Sequence, residues 1–153
     1  MKKFKVALIV TCLIVFSLSV IGCSSEKELT NIAEYDGCTL ELTGGKVETT
    51  DTGKEVFRVS AMYTNSNSEP LYALCSFGVK AFQNDTEIND LSDINGSEAV
   101  LIKEVKDGKS LSVSYVFELT NESPVEITVC TPTADEQVIA KVVYLEAEVT
   151  TEK

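Results

Sequence analysis

Along most of the chain, apolar and polar residues alternate with a period of two, the spacing of a strand that buries one face and exposes the other. In KEVFRVSAMYTN, Phe57, Val59, Ala61 and Tyr63 fall on one face. In SLSVSYVFELT, Leu111, Val113, Tyr115, Phe117 and Leu119 share a face, with Ser112, Ser114 and Glu118 opposite. Further strands are predicted over 38–42, 71–82, 99–105, 125–129 and 138–145. The last of these contains good helix formers (Ala, Glu, Lys). Its β-branched and aromatic content, Val138, Val142, Val143 and Tyr144, favours a strand. Turn chemistry separates the runs at Gly44-Gly45, Asp51-Thr52-Gly53, 65–70, Asn84-Asp85, Asn95-Gly96, Asp107-Gly108 and 121–124. About seven to eight short strands at this spacing predict an all-β, antiparallel two-sheet sandwich.

The alternation begins only after a different N-terminal pattern. Lys2, Lys3 and Lys5 precede an uncharged run over 6–20, which is too short to span a bilayer at roughly 20 helical residues. No basic flank follows to stop transfer. A charged start and a short apolar run are the layout of a secretory signal peptide. Val20-Ile21-Gly22 then leads into Cys23 and resembles the bacterial lipobox. That resemblance implies diacylglycerol on the Cys23 thiol and cleavage just before it. Residues 1–22 are thus expected to be a lipoprotein signal peptide, 23–36 the lipidated cysteine and a polar tether, and 37–150 one domain. A tether of that length reaches about 45 Å at most.

Four segments carry a wider resemblance: YTNSNSEP, VKAFQNDTEI, DGKSLSVSYVFELT and SPVEITV. They resemble a family of Gram-positive lipoproteins with an immunoglobulin-like domain known only as a domain of unknown function. The resemblance covers 35–145 and is most specific over 108–127. It implies an immunoglobulin-like β-sandwich on an extracellular protein held at the cell membrane, and it brings no activity with it. Asp85 stands where that family's hairpin normally has Gly, and Asp107 where Pro commonly precedes Gly108. Because Asp tolerates left-handed backbone, the hairpin is expected to adjust and persist.

Charge narrows the partners. Once residues 1–22 are removed, 10 basic residues face 24 acidic ones, a formal charge of about −14. Such a domain repels nucleic acid and anionic head groups. Arg58 is the sole arginine, which argues against clustered phosphate recognition. No histidine is present, which removes His-dependent triads and the commonest zinc ligand. Ser24-Ser25-Glu26-Lys27 fits S-x-x-K in form only, without its companion elements. No phosphate loop and no cofactor motif occur. The acidic stretch over 84–98 could offer Asp90, Asp93, Asn95 and Glu98 to calcium. Setting Gly96 at the glycine of an EF-hand loop, however, puts Leu91 and Ile102 at its first and last ligand positions. The stretch therefore reads first as a solvated loop, with weak calcium binding left open and no metal site assigned.

Three cysteines, Cys38, Cys75 and Cys130, remain in the mature domain, where a disulfide is permitted. In an immunoglobulin-like topology the starts of the first and third strands lie at one end. Cys38 and Cys75 share the parity of the inward residues Leu40, Leu42, Phe77 and Val79. A Cys38–Cys75 bridge is the favoured pairing, with three reduced buried thiols as the alternative. Phe57, Tyr63, Phe77, Tyr115 and Phe117 read as core. Tyr72, Phe82 and Tyr144, of opposite or ambiguous parity, are the candidates for an exposed recognition patch. The expected function is that of a non-enzymatic binding or interaction module facing the extracytoplasmic side. Its partner would be an envelope or extracellular protein or a small ligand. The alternative is a structural or accessory part of an envelope complex.

Overall fold

The structure, a computed structural model, describes residues 30–93 and 97–144. The signal segment and Cys23 lie outside them. The described chain runs β1 (Ile32–Tyr35), β2 (Cys38–Thr49), β3 (Glu55–Asn65), β4 (Leu71–Tyr72), α1 (Ala73–Ser76), β5 (Gly78–Gln83) and β6 (Thr86–Ile88). It continues through α2 (Glu98–Leu101), β7 (Glu104–Val105), β8 (Lys109–Glu118), β9 (Val125–Cys130) and β10 (Val138–Tyr144). One four-stranded sheet has the order β1-β2-β3-β8 and the other β10-β9-β5-β6; β4 and β7 form a separate pair. Every pairing is antiparallel. The predicted all-β immunoglobulin-like sandwich is the observed architecture, with eight strands in its two sheets among the described residues.

The period-two reading locates the core. Phe57, Val59, Ala61 and Tyr63 of β3 are buried, as are Val113, Tyr115 and Phe117 of β8, and their registers pair Phe57 with Phe117 and Val59 with Tyr115. Opposite them stand Ala81, Val125, Ile127, Val129 and Ala140 of the second sheet, all buried. Burying each large side chain contributes about 1.5–3 kcal/mol. Aromatic rings meet at both ends: Phe57 lies 5.2 Å from Tyr144, and Tyr63 meets Phe77 edge-on at 6.3 Å. The Phe57 ring lies directly over Gly45, where a Cβ would collide with it, so only glycine fits that position of β2.

Hairpins follow from turn chemistry. Asn84 and Asp85 both take left-handed φ, 49° and 59°, in the two-residue β5–β6 connection that pairs Gln83 with Thr86. The aspartate is accommodated as expected and the hairpin persists. Asp36 and Gly37 do the same between β1 and β2, at 46° and 72°.

Three expectations fail here, each for a local reason. Residues 32–35, expected in the tether, form β1 along β2, pairing Ile32 with Glu41 through Tyr35 with Cys38. Only Ala33 of these four is buried, so the segment carries no periodic signal. The strand expected over 71–82 is broken by the helical turn α1, and the one over 99–105 by α2. In α1 the Ser76 hydroxyl donates to the Tyr72 carbonyl at 2.9 Å, a bond that requires the turn. In α2 the turn buries Leu101 and leaves Glu98 and Ala99 exposed.

Candidate functional site

Between β6 and β8 the chain crosses from one sheet to the other, and this crossing builds the site. Residues 89–92 run along the edge of β8: Leu91 N–H donates to the Val116 carbonyl at 2.7 Å and Glu118 N–H to the Asn89 carbonyl at 2.9 Å. The Ser92 hydroxyl accepts from Val116 N–H at 3.0 Å. These bonds satisfy an edge strand that would otherwise present unpaired backbone groups. They also bury Val116 although it faces away from the core. Arg58 anchors the far side of the crossing on the outer face of the first sheet. Its Nη1 donates to Ser97 Oγ at 3.0 Å and Ser114 Oγ at 3.1 Å, while Nε pairs with Glu48 at 2.7 Å. Burial works to raise the Glu48 pKa and is outweighed by hydrogen bonds from Lys46 and Arg58, so the pKa is lowered.

Beneath the crossing lies a cavity of about 380 Å³ bounded by α1, the start of β5, the 90–93 segment, α2 and β8. Its volume lies in the range of small-ligand pockets. One wall is apolar, made by Leu74, Phe77, Val79 and Leu101. Asp90, Asp93 and Glu98 contribute carboxylates, and no basic side chain is among its described lining residues. Tyr115 completes it from the core side. This tyrosine is only 3% exposed, and its hydroxyl, fully withdrawn from solvent, has no hydrogen-bond partner among the described residues. Burial first, and the Asp90 charge second, push its pKa far above the usual phenol value.

Other buried polar groups are paired. The Ser76 hydroxyl meets the Tyr63 hydroxyl at 2.8 Å, and Tyr63 in turn lies 3.2 Å from the Cys38 thiol. Gln83 donates to the carbonyls of Asn121 and Ser123 at 2.8 and 2.9 Å and accepts from the Thr120 N–H and hydroxyl. Asn65 donates to the Glu69 and Val105 carbonyls, both at 2.8 Å.

The sequence candidates fall in different places. Cys38, Cys75 and Cys130 are free thiols, which corrects the expected Cys38–Cys75 bridge. In a continuous strand over 71–82 Cys75 would face inward with Phe77. The helical turn places Ser76 inside and Cys75 outside, while Cys38 stays buried against Tyr63. Tyr72, Phe82 and Tyr144 do not share one patch. Tyr72 is exposed on the β4–β7 pair. Phe82 lies on the outer face of the second sheet beside the Lys80–Glu136 and Lys141–Glu126 ion pairs. Tyr144 turns inward onto Phe57, and burial raises its pKa. Asp90, Asp93 and Glu98 from the suspected calcium stretch do line the cavity, though the described residues contain no group of three acidic or thiol side chains placed to hold a metal ion. Asn95 lies outside the described residues, as does Cys23. Tyr115 lies in the core, as its place on the inward stripe of β8 predicts, and only the lack of a partner for its hydroxyl among the described residues was not foreseen. The sequence holds no signal for this, since Tyr63 on the neighbouring inward stripe is fully paired.

The family model for a domain of unknown function, DUF5067, matches residues 24–131. No curated protein matches the chain in sequence. Three solved structures share the fold. A Staphylococcus aureus protein assigned as a lipoprotein aligns with a TM-score of 0.58 at 13% identity, over 75% of this chain and 88% of its own. A Bacillus subtilis protein, also assigned as a lipoprotein, aligns with a TM-score of 0.53 at 13% identity, over 80% of this chain and 40% of its own. A protein from Enterococcus faecalis aligns with a TM-score of 0.52 at 20% identity, over 75% of this chain and 89% of its own.

Proposed function

This chain belongs to the DUF5067 family, and from that premise we propose that it is a lipid-anchored extracytoplasmic protein whose sandwich is a non-enzymatic binding module. The observation that carries the anchor is Cys23, set behind a charged start, a short apolar run and Val20-Ile21-Gly22. Two of the solved structures with this fold come from proteins assigned as lipoproteins, which supports the same reading. Diacylglycerol supplies two acyl chains, enough for stable anchoring. Because the folded part begins by Thr30, whose carbonyl accepts from Lys141 N–H at 3.0 Å, little chain separates the sheets from the anchor. Six residues reach about 20 Å, so the domain sits close to the membrane.

The binding role is supported by one end of the fold. Tyr72, Leu74 and Ile102 are exposed there on β4, on α1 and just beyond α2, and Leu74 also lines the cavity. Apolar side chains around a cavity mouth suit recognition better than a purely structural spacer does. Crosslinking on living cells that express the tagged protein tests this reading. The expected result is one reproducible partner joined at this end. Crosslinks scattered over many abundant envelope proteins would remove the protein partner and favour an accessory role. Cys23→Ala is expected to abolish lipidation, and cell fractionation would show it; a variant that still partitions with lipid into detergent would overturn the anchor.

A further inference from the structure

We propose that the edge of β2 over 43–49 pairs with the same edge of a second copy of this chain, antiparallel about a two-fold axis at Val47, joining the first sheets of two molecules into one. This contact is separate from the exposed end at Tyr72, Leu74 and Ile102 and does not require that end to bind a partner. β2 spans Cys38–Thr49, but β1 lies along it only from Cys38 to Glu41, with a last bond from Leu42 N–H to the Asn31 carbonyl at 2.8 Å. Beyond Leu42, β3 flanks one side and no described strand flanks the other. Residues of an antiparallel strand alternate between bonding their neighbour and turning away from it. Thr50 N–H donates to the Lys54 carbonyl at 2.8 Å, so the alternation gives Glu48 and Lys46 to β3 and turns the peptide groups of Gly45, Val47 and Thr49 to the open edge. The other edges are covered, met or short: residues 89–92 run along β8, the Thr30 carbonyl accepts from Lys141 N–H of β10, and β1 and β6 have four and three residues.

Charge selects the occupant. Free N–H and C=O groups accept any extended chain, and side chains decide which one. Lys46-Val47-Glu48 complements itself when its direction is reversed, as an isologous two-fold contact requires. With Val47 on the axis, Val47 meets Val47 of the second copy and Gly45 meets Thr49, and these residues exchange backbone bonds. Lys46 then stands directly opposite Glu48 of the second copy, and Glu48 opposite its Lys46, on the outer face of the joined sheet. These are the closely spaced pairs of an antiparallel ladder, where opposite charges attract across strands. Lys46 already reaches Glu48 of its own chain at 2.8 Å, yet its side chain remains 53% exposed, with ammonium donors to spare. Sliding the two strands by two residues sets Lys46 against Lys46 or Glu48 against Glu48, so the charges fix the register as well.

The test is sedimentation equilibrium of the full-length protein in density-matched non-ionic detergent at physiological salt, over a range of protein concentrations. A reversible dimer is expected, with amide hydrogen exchange at Gly45, Val47 and Thr49 slowed at the concentrations where it forms. Lys46→Glu turns both cross-strand pairs into like charges and should weaken the dimer about tenfold. Thr49→Pro removes an N–H that β3 does not use, which an edge strand tolerates, and should weaken the dimer by at least as much. Both positions are exposed, so the fold should be kept. A monomer at every concentration would overturn the proposal. So would a dimer that neither substitution weakens, because its contact would lie on another face. Slow exchange at Gly45, Val47 and Thr49 in a monomer would also overturn it, by giving the edge to another part of the same chain.

Discussion

Tyr63 and Tyr115 face the same core from neighbouring strands, and one is paired while the other is not. Both are almost fully buried, 0% and 3% exposed. The Tyr63 hydroxyl sits in a chain of hydrogen bonds: Cys38 lies 3.2 Å away, Ser76 2.8 Å away, and the Ser76 hydroxyl donates to the Tyr72 carbonyl at 2.9 Å. These bonds hold α1 in its turn and turn Cys75 outward. The Tyr115 hydroxyl touches no such network: it is withdrawn from solvent and has no hydrogen-bond partner among the described residues. A buried hydroxyl with its partners in place contributes about 1 kcal/mol, and one without them costs about 1–3 kcal/mol. Tyr63 is therefore a piece of the architecture, whereas the fold forgoes stability to keep Tyr115 as a tyrosine.

The strongest challenge to this division is to remove a fully paired group elsewhere. Gln83 ties the β5–β6 hairpin to residues 120–123 through both ends of its amide. Gln83→Leu leaves several buried backbone groups without partners and should cost about 3 kcal/mol, read by urea denaturation. A loss below about 0.5 kcal/mol would mean that pairing says little about structural importance in this fold. Tyr63→Phe comes next. It keeps the ring against Phe77 and deletes only the hydroxyl's hydrogen bonds, and should cost about 1–2 kcal/mol.

How far these roles were legible in the chain depends on range. The inward stripes of β3 and β8 could be read because strand parity is local, and the Asn84-Asp85 turn because both residue types tolerate left-handed backbone. The α1 turn could not. Ser76 is held inward by Tyr63, thirteen positions earlier in sequence, on β3 of the first sheet. Once that turn was read as strand, the parity of Cys75 was inverted and the expected bridge followed from it. Of the cavity, Asp90, Asp93 and Glu98 stood out as an acidic stretch, but their meeting with Tyr115 depends on where 89–92 docks on β8, which no periodicity encodes.

Alkali provides a weaker test that treats both tyrosines alike. Burial pushes the Tyr63 pKa up to about 12, raised further by Cys38 and partly offset by Ser76, and it pushes Tyr115 up as well. In the unfolded chain both phenols ionise near the usual value of about 10. Above that pH the folded state holds protons the unfolded state has lost, so stability falls as pH rises from about 10 to 12. The slope reaches about 1.4 kcal/mol per pH unit for each phenol. Replacing either tyrosine with Phe should flatten the fall by one such contribution, measured by urea denaturation across that range. Equal slopes in the wild type and both variants would show that burial does not control the two phenols.

The smallest change should come from Tyr115→Phe at neutral pH, and its sign matters more than its size. The substitution keeps the ring among its core neighbours opposite Val59 and removes only the oxygen. With no partner to lose, the protein should gain up to about 1 kcal/mol, because an apolar atom replaces a dehydrated hydroxyl. The same change at Tyr63 should lose stability, so the two variants should move the urea midpoint in opposite directions at unchanged slope. If Tyr115→Phe is instead destabilised as much as Tyr63→Phe, the Tyr115 hydroxyl already has a partner in solution, such as an ordered water linking it to Asp90. The two tyrosines would then be equivalent, each a buried hydroxyl with its partner in place.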